Sequence, residues 1–221
     1  MYDFSKYIEF ATEERIIKVN KLLSKRKDDI TIVFENILDP HNIAACLRTC
    51  DAAGILEVHI VYSPNYKRLI SRLKTEGLGS SATAKKWVNV YAYNDIQLCY
   101  SILKNQGFTI LTSKLNETSK SLYDLDFATN KIALVFGNEK NGLSDNAYNL
   151  ADGNFNIPQI GIVESLNISV ACAVSLYEAY RQKNKLNLYD NFTISENNYY
   201  KTMDRVIFEK SKLDIKFIDK I

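Results

Sequence analysis

The residues that offer chemistry lie mostly in two loops late in the chain. The apolar run Ile132–Phe136 ends abruptly in Gly137-Asn138-Glu139-Lys140-Asn141-Gly142. Further on, Ile157-Pro158-Gln159-Ile160-Gly161 leads through Ser165-Leu166-Asn167 into a long apolar stretch. Glycine at the carboxyl end of a parallel strand lets main chain approach a ligand closely, and open α/β sheets bind ligands at that end. Two such loops point to one pocket built from two sides. Ser165 is placed to cap the following helix, whose first-turn N–H groups suit an anion or a ligand carboxylate. Asn42 and Arg48 are the other candidates. Six residues turn through about 600° on an α-helix, leaving the pair roughly 240° apart around the axis. Periodicity alone therefore does not join them, although Asn42, as an N-cap, is free of helical geometry. An arginine buried after Leu47 needs an anion or carbonyl groups as partners.

Other chemistries find less support. Gly137–Gly142 lacks the Lys-Ser/Thr of a phosphate loop, and no GxGxxG occurs, which disfavours a nicotinamide site. The two histidines, His41 and His59, and the four cysteines, Cys46, Cys50, Cys99 and Cys172, show no ligand spacing, so no metal is expected. His59 sits in a strand-like run and reads as structural. The cysteines read as reduced thiols packed in a cytoplasmic protein.

The elements that must position these residues alternate. Helical periodicity covers 6–26, and strands are expected at 30–36, 56–63, 87–93, 107–115, 132–137 and 154–157. Helices are expected from Asn42, as N-cap, to Gly54, over 95–106, 144–150 and 165–184, and within 195–218. Such alternation means an α/β fold with a mainly parallel sheet flanked by helices.

With 221 residues, 46% hydrophobic and 24% charged, the chain fits one packed domain with appendages. No apolar run is long enough to span a membrane, and no signal-peptide pattern opens the chain. The net charge of +2 is small, but its distribution is uneven. Arg15–Lys27 carries Arg15, Lys18, Lys21, Lys25, Arg26 and Lys27 without an acid. The segment 65–86 adds Lys67, Arg68, Arg72, Lys74, Lys85 and Lys86 against Glu76, and Arg181, Lys183 and Lys185 follow. Such patches suit a phosphate backbone, although each alone also fits a solvated helix face.

NIAACLRTCDAAG, IALVFGNEKNGLS and IPQIGIVESLNISVACAVSLYEA resemble, in order, the three motifs of the SPOUT superfamily of RNA methyltransferases. Within it they are similar to the TrmH (SpoU) group of ribose 2′-O-methyltransferases. The resemblance covers about 30–184, and the short flanking helices resemble those of members acting on guanosine 18 of tRNA. It implies a deep C-terminal trefoil knot in a domain spanning 29–186, with helical extensions over 1–28 and 187–221. It implies a homodimer formed through the knot region, and S-adenosylmethionine as cofactor. Carried over by position, cofactor contacts come from Thr112, Ser113, Phe136, Gly137, Asn138, Glu139, Ile157, Pro158, Ile160, Leu166 and Asn167. The catalytic group is Arg48, with Asn42, Glu139, Ser165 and Asn167. The family gives the matching arginine the role of base; since a guanidinium keeps its proton, Arg48 could equally anchor phosphate and stabilise a developing alkoxide. Lys21, Lys25, Arg26, Lys67, Arg68 and Arg72 are expected on the tRNA-binding surface. The alternatives are 2′-O-methylation of another tRNA or rRNA nucleotide, or an inactive RNA-binding protein on the same scaffold.

Overall fold

A computed structural model describes residues 2–64, 72, 86–114, 116–163, 165–190, 193–208 and 215–219. Its strands are β1 (Ile30–Glu35), β2 (Glu57–Val61), β3 (Asn89–Tyr93), β4 (Thr109–Ser113), β5 (Lys120–Ser121), β6 (Ile132–Phe136), β7 (Gly153–Asn156) and β8 (Ile215–Ile218). They form one sheet in the order β5-β7-β4-β6-β1-β2-β3-β8, parallel at every pairing. β1 and β6 lie side by side at its centre and are buried along their whole length. That is why both read as unbroken apolar runs rather than as alternating ones.

The helices are α1 (Glu13–Ser24), α2 (Pro40–Ala52), α3 (Ile96–Asn105), α4 (Asp145–Asn149), α5 (Ile168–Lys185) and α6 (Glu196–Phe208). α1 starts later than the periodicity suggests, because a 3-10 turn occupies Ser5–Tyr7 and the Thr12 hydroxyl then caps the helix. α2 is capped by Asp39, which accepts the His41 N–H, and Pro40 fills the first turn. Asn42 is therefore not the N-cap; it lies inside the first turn with its amide free for other work. Likewise α5 is capped by Asn167, not by Ser165. The single helix expected within 195–218 is instead α6 followed by β8, so the C-terminal segment is not purely helical and adds an edge strand beside β3.

Strand alternation divides the core. Ile32, Phe34, Leu134 and Phe136 face α2 and α5, meeting Ile43, Leu47, Cys172 and Leu176. Val33, Val61 and Val135 face α3, meeting Tyr100 and Leu103. A third cluster joins the two ends of the chain, with Ile16, Val19 and Leu23 of α1 against Tyr199, Met203 and Val206 of α6. All four cysteines are buried and unpaired. Burial pushes the Cys99 thiol well up, and hydrogen bonding to Cys172 together with burial does the same for Cys46. His59 is enclosed too: its Nδ1 lies 2.9 Å from the Tyr93 hydroxyl, and burial pushes the imidazole down to about 4.

Candidate active site

A cavity of about 800 Å³ opens at the carboxyl ends of β4, β6 and β7. Of the residues expected at the cofactor, Ser113, Phe136, Gly137, Asn138, Glu139, Ile157, Pro158, Leu166 and Asn167 line it. Lys114, Leu143, Phe155, Ile162, Val163, Ile168 and Ala171 line it as well. Phe155 and Ile168 give no sequence signal of this, since both look like ordinary core residues.

Close packing dictates the glycine at the end of β6. A Cβ on Gly137 would stand 2.5 Å from the carbonyl carbon of Gly142 and from the Leu143 nitrogen, far inside van der Waals distance. The loop doubles back on itself there. Asn138 and Gly142 exchange two main-chain hydrogen bonds of 2.9 Å. Gly142 takes φ +69°, a conformation that glycine adopts at no steric cost. The buried Asn138 holds the turn from inside. Its Oδ1 accepts the N–H groups of Lys140 and Asn141, and its Nδ2 donates to the Asn36 carbonyl at 2.6 Å.

That turn presents Glu139 to α2. Glu139 Oε1 accepts from Asn42 Nδ2 at 3.0 Å, and Oε2 accepts from the Leu38 N–H at 3.2 Å. Asn42 Oδ1 in turn accepts from Asn167 Nδ2 at 3.3 Å. The direction of this chain is fixed by its ends. Asn167 Oδ1 must accept the Ser169 N–H to cap α5, so its amide nitrogen faces Asn42. Asn42 must then offer its oxygen to Asn167 and its nitrogen to the acceptor-only carboxylate. Residues 42, 139 and 167 thus meet at one point, although 125 positions separate the outer two.

Arg48 lies further along α2. It is exposed, not buried as the sequence suggests, and makes no hydrogen bond or ion pair with another described residue through its side chain. Ser165 lines the cavity but does not cap α5. Thr112 does not line it: the side chain is fully buried and its hydroxyl bonds to Asn154 Oδ1 at 3.0 Å. Ile160 is also absent from the wall, its side chain fully exposed to solvent. Gln159 and Gly161 line the cavity on either side of it. The main chain of 159–163, 165 and 166 makes no hydrogen bond to another described residue.

Of the residues expected to meet RNA, Lys21 and Lys25 are exposed, and Lys25 pairs with Asp190 at 3.3 Å. Arg26 is not on the surface. It is buried, ion-paired to Asp51, bonded to the Ile55 carbonyl at 3.1 Å and stacked 5.2 Å from the Trp87 ring. Arg72 is exposed, whereas Lys67 and Arg68 lie outside the described residues. Lys183, from the third basic group, is fully buried against Asp29 at 2.7 Å. Among the described residues no group of His, Cys, Asp and Glu could hold a metal ion, and no helix is long and apolar enough to cross a membrane.

Known proteins carry a similar chain and fold. The SpoU rRNA Methylase family matches residues 29–177, from β1 into α5. A tRNA (guanosine(18)-2′-O)-methyltransferase of Thermus thermophilus is 38% identical over 87% of this chain and 95% of its own length. One of Escherichia coli is 36% identical over 79% of this chain and 73% of its own length. The crystal structure of the Aquifex aeolicus TrmH/SpoU tRNA modifying enzyme superposes with a TM-score of 0.76 at 29% identity, covering 89% of this chain and 96% of that one. The match runs through all three segments that meet at Asn42, Glu139 and Asn167, and it places this chain in the SpoU methylase family of methyltransferases.

Proposed function

We propose that the protein transfers a methyl group from S-adenosylmethionine to the ribose 2′-hydroxyl of guanosine 18 in tRNA. One observation carries the reading: beside the 800 Å³ cavity Glu139 and Asn167 both meet Asn42, on the helix that presents Arg48 without a partner among the described residues. The target nucleotide follows the relatives named for it, which are 32–38% identical over most of this chain.

The cavity suits that cofactor. Gly137 leaves the main chain bare where a side chain would not fit, and the main chain of 159–163, 165 and 166 offers donors and acceptors beside apolar Leu166 and Ile157. An adenosyl group has apolar faces and a polar edge, which such a wall matches. When bound, S-adenosylmethionine supplies an already activated methyl group. Ser113, Phe136–Glu139, Ile157–Gln159 and Leu166–Asn167 would hold it.

The remaining tasks are alignment of the 2′-oxygen and removal of its proton. The Glu139–Asn42–Asn167 chain keeps one amide N–H on each asparagine free for RNA oxygens, in an orientation set before RNA arrives. Arg48 anchors an RNA phosphate and stabilises negative charge on the 2′-oxygen as its proton passes to solvent water. Proton removal and charge stabilisation together are worth roughly 10²- to 10⁴-fold in such reactions.

The catalytic domain spans 29–186, with the cavity built in a trefoil knot and extensions over 1–28 and 187–221 that dock tRNA. The protein works as a homodimer through the knot region. Exposed Ile162 and Val163 on the loop, with Val170 and Tyr177 on α5, support an apolar contact there.

The test is methyl mapping on an unmodified tRNA transcript. One methyl per molecule is expected on the 2′-oxygen of G18, and none on a transcript with 2′-deoxyguanosine at that position. A methyl at another nucleotide would overturn the target.

A further inference from the structure

β1 ends where the two halves of the site meet. Its last residue, Glu35, is 3% exposed, yet its carboxylate is paired with no cation among the described residues. Both oxygens go to one residue: Oε2 accepts the Ser144 N–H at 2.8 Å, and Oε1 accepts the Ser144 hydroxyl at 2.7 Å. Ser144 is held from the other side as well, since its Oγ accepts the Ala147 N–H and caps α4. The next residue after Glu35, Asn36, takes φ +55° and offers its carbonyl to Asn138 Nδ2. Two consecutive residues at the end of β1 therefore tie down both ends of the loop 138–144. Glu139 is the residue between these ties that reaches across to Asn42.

Burying a carboxylate without a counter-charge is costly, and hydrogen bonds to the charged form recover only part of that cost. Charge-assisted bonds are shorter and stronger than neutral ones, and a bond to each oxygen fixes direction as well as distance.

We infer that Glu35 is a positioning residue of the methyltransferase site. It clamps Ser144, which sets the far end of the loop, so that Gly137 stays against the cofactor and Glu139 stays against Asn42. Glu35 touches neither cofactor nor RNA. The inference rests on the function proposed above.

The experiment compares Glu35→Ala and Glu35→Gln with wild type, measuring S-adenosylmethionine affinity by calorimetry, tRNA affinity and thermal midpoint. Glu35→Ala should weaken the cofactor about tenfold, the scale of removing a hydrogen bond to a charged group, while tRNA affinity stays within about twofold. Glu35→Gln keeps an acceptor for the Ser144 N–H and a donor for its hydroxyl, and should recover cofactor affinity to within about threefold of wild type. A lowered thermal midpoint with unchanged cofactor affinity would mean a merely structural role and overturn the inference. Failure of glutamine to rescue would do the same. Should Glu35→Ala not fold, Ser144→Ala decides by the same titration, several-fold weakening supporting the clamp and wild-type affinity refuting it. A wild type that binds no S-adenosylmethionine would overturn the proposed function itself; a wild type that binds it no more tightly than Glu35→Ala does would overturn only the role of Glu35.

Discussion

The lobe formed by the two ends of the chain and the exposed side of α2, the helix whose Asn42 meets Glu139 of the cavity wall, both carry conspicuous cations, and they use them in opposite ways. In the lobe, Arg26 is enclosed by Asp51, the Ile55 carbonyl and the Trp87 ring. Lys27 is buried and bonds to the Leu188 carbonyl and to the Thr193 hydroxyl, and Lys25 holds Asp190 and the Tyr189 carbonyl. On α2, Arg48 has no partner among the described residues, and at the cavity the main chain of 159–163 goes unbonded to them. Charge satisfied inside a fold works on stability; charge left unsatisfied on the surface is available to a ligand. Tallying basic residues along the sequence does not separate the two.

Substituting Arg48 gives the sharpest break in this comparison. Arg48→Ala should slow methyl transfer by roughly 10³-fold, about 4 kcal/mol at 1.36 per decade, with cofactor affinity within several-fold and the thermal midpoint unmoved. Arg48→Lys should also be severely impaired, because an ammonium lacks the planar fork. Single-turnover rates and calorimetry check both, and near-normal turnover in the lysine variant would end the role given to Arg48.

Arg26→Ala should do the reverse. It leaves Asp51 partly buried and unpaired, which costs about 3 kcal/mol of stability. Denaturant melts should show the loss, while turnover per folded molecule stays near wild type well below the melting temperature. A large loss of turnover without a loss of stability would return Arg26 to the RNA surface.

Gly137→Ala tests the rim's bare main chain. The added methyl has no room against the Gly142 and Leu143 backbone, so the loop must shift. Overpacking of this kind costs about 1–3 kcal/mol, and cofactor affinity should fall about tenfold or more. Wild-type affinity would show that the loop does not shape the cofactor site.

The smallest effect is expected from the lobe's remaining surface charge. Lys18 and Lys21 are exposed on α1, and their ammonium groups make no bond to other described residues. Replacing both with glutamine should weaken tRNA binding and lower its salt slope by about one unit for each phosphate that a lysine no longer neutralises. Parallel salt plots for wild type and the double variant would remove α1 from the RNA site.

The sheet was largely legible in the sequence, because buried parallel strands write themselves as apolar runs; β1, β2, β3, β4 and β6 fall where those runs stand, whereas β7 has only Phe155 as its apolar residue. β8 was not, since Ile215–Ile218 is a short edge strand with exposed residues and follows a strong helical pattern. Of the candidate site, the motifs single out Gly137, Asn42 and Asn167, which the fold brings to one place. The site was misjudged where partners decide the outcome. Asp39-Pro40 outcompetes Asn42 for the cap of α2, and Asn167 outcompetes Ser165 for that of α5. Burial of Arg26 depends on Asp51 and Trp87, 25 residues and more away, which no local pattern announces. Nor does any spacing join Glu35 to Ser144, 109 positions apart.

The four cysteines have a practical consequence. All are buried, and a buried thiol is out of reach of an alkylating reagent. A maleimide dye or nitroxide would therefore find nothing to label on the folded protein. One new surface cysteine, such as Lys21→Cys on α1, would be labelled uniquely without first stripping the natural ones. Two such labels in an assembled pair of chains would act as a ruler, and their spacing would report how the copies face each other in solution.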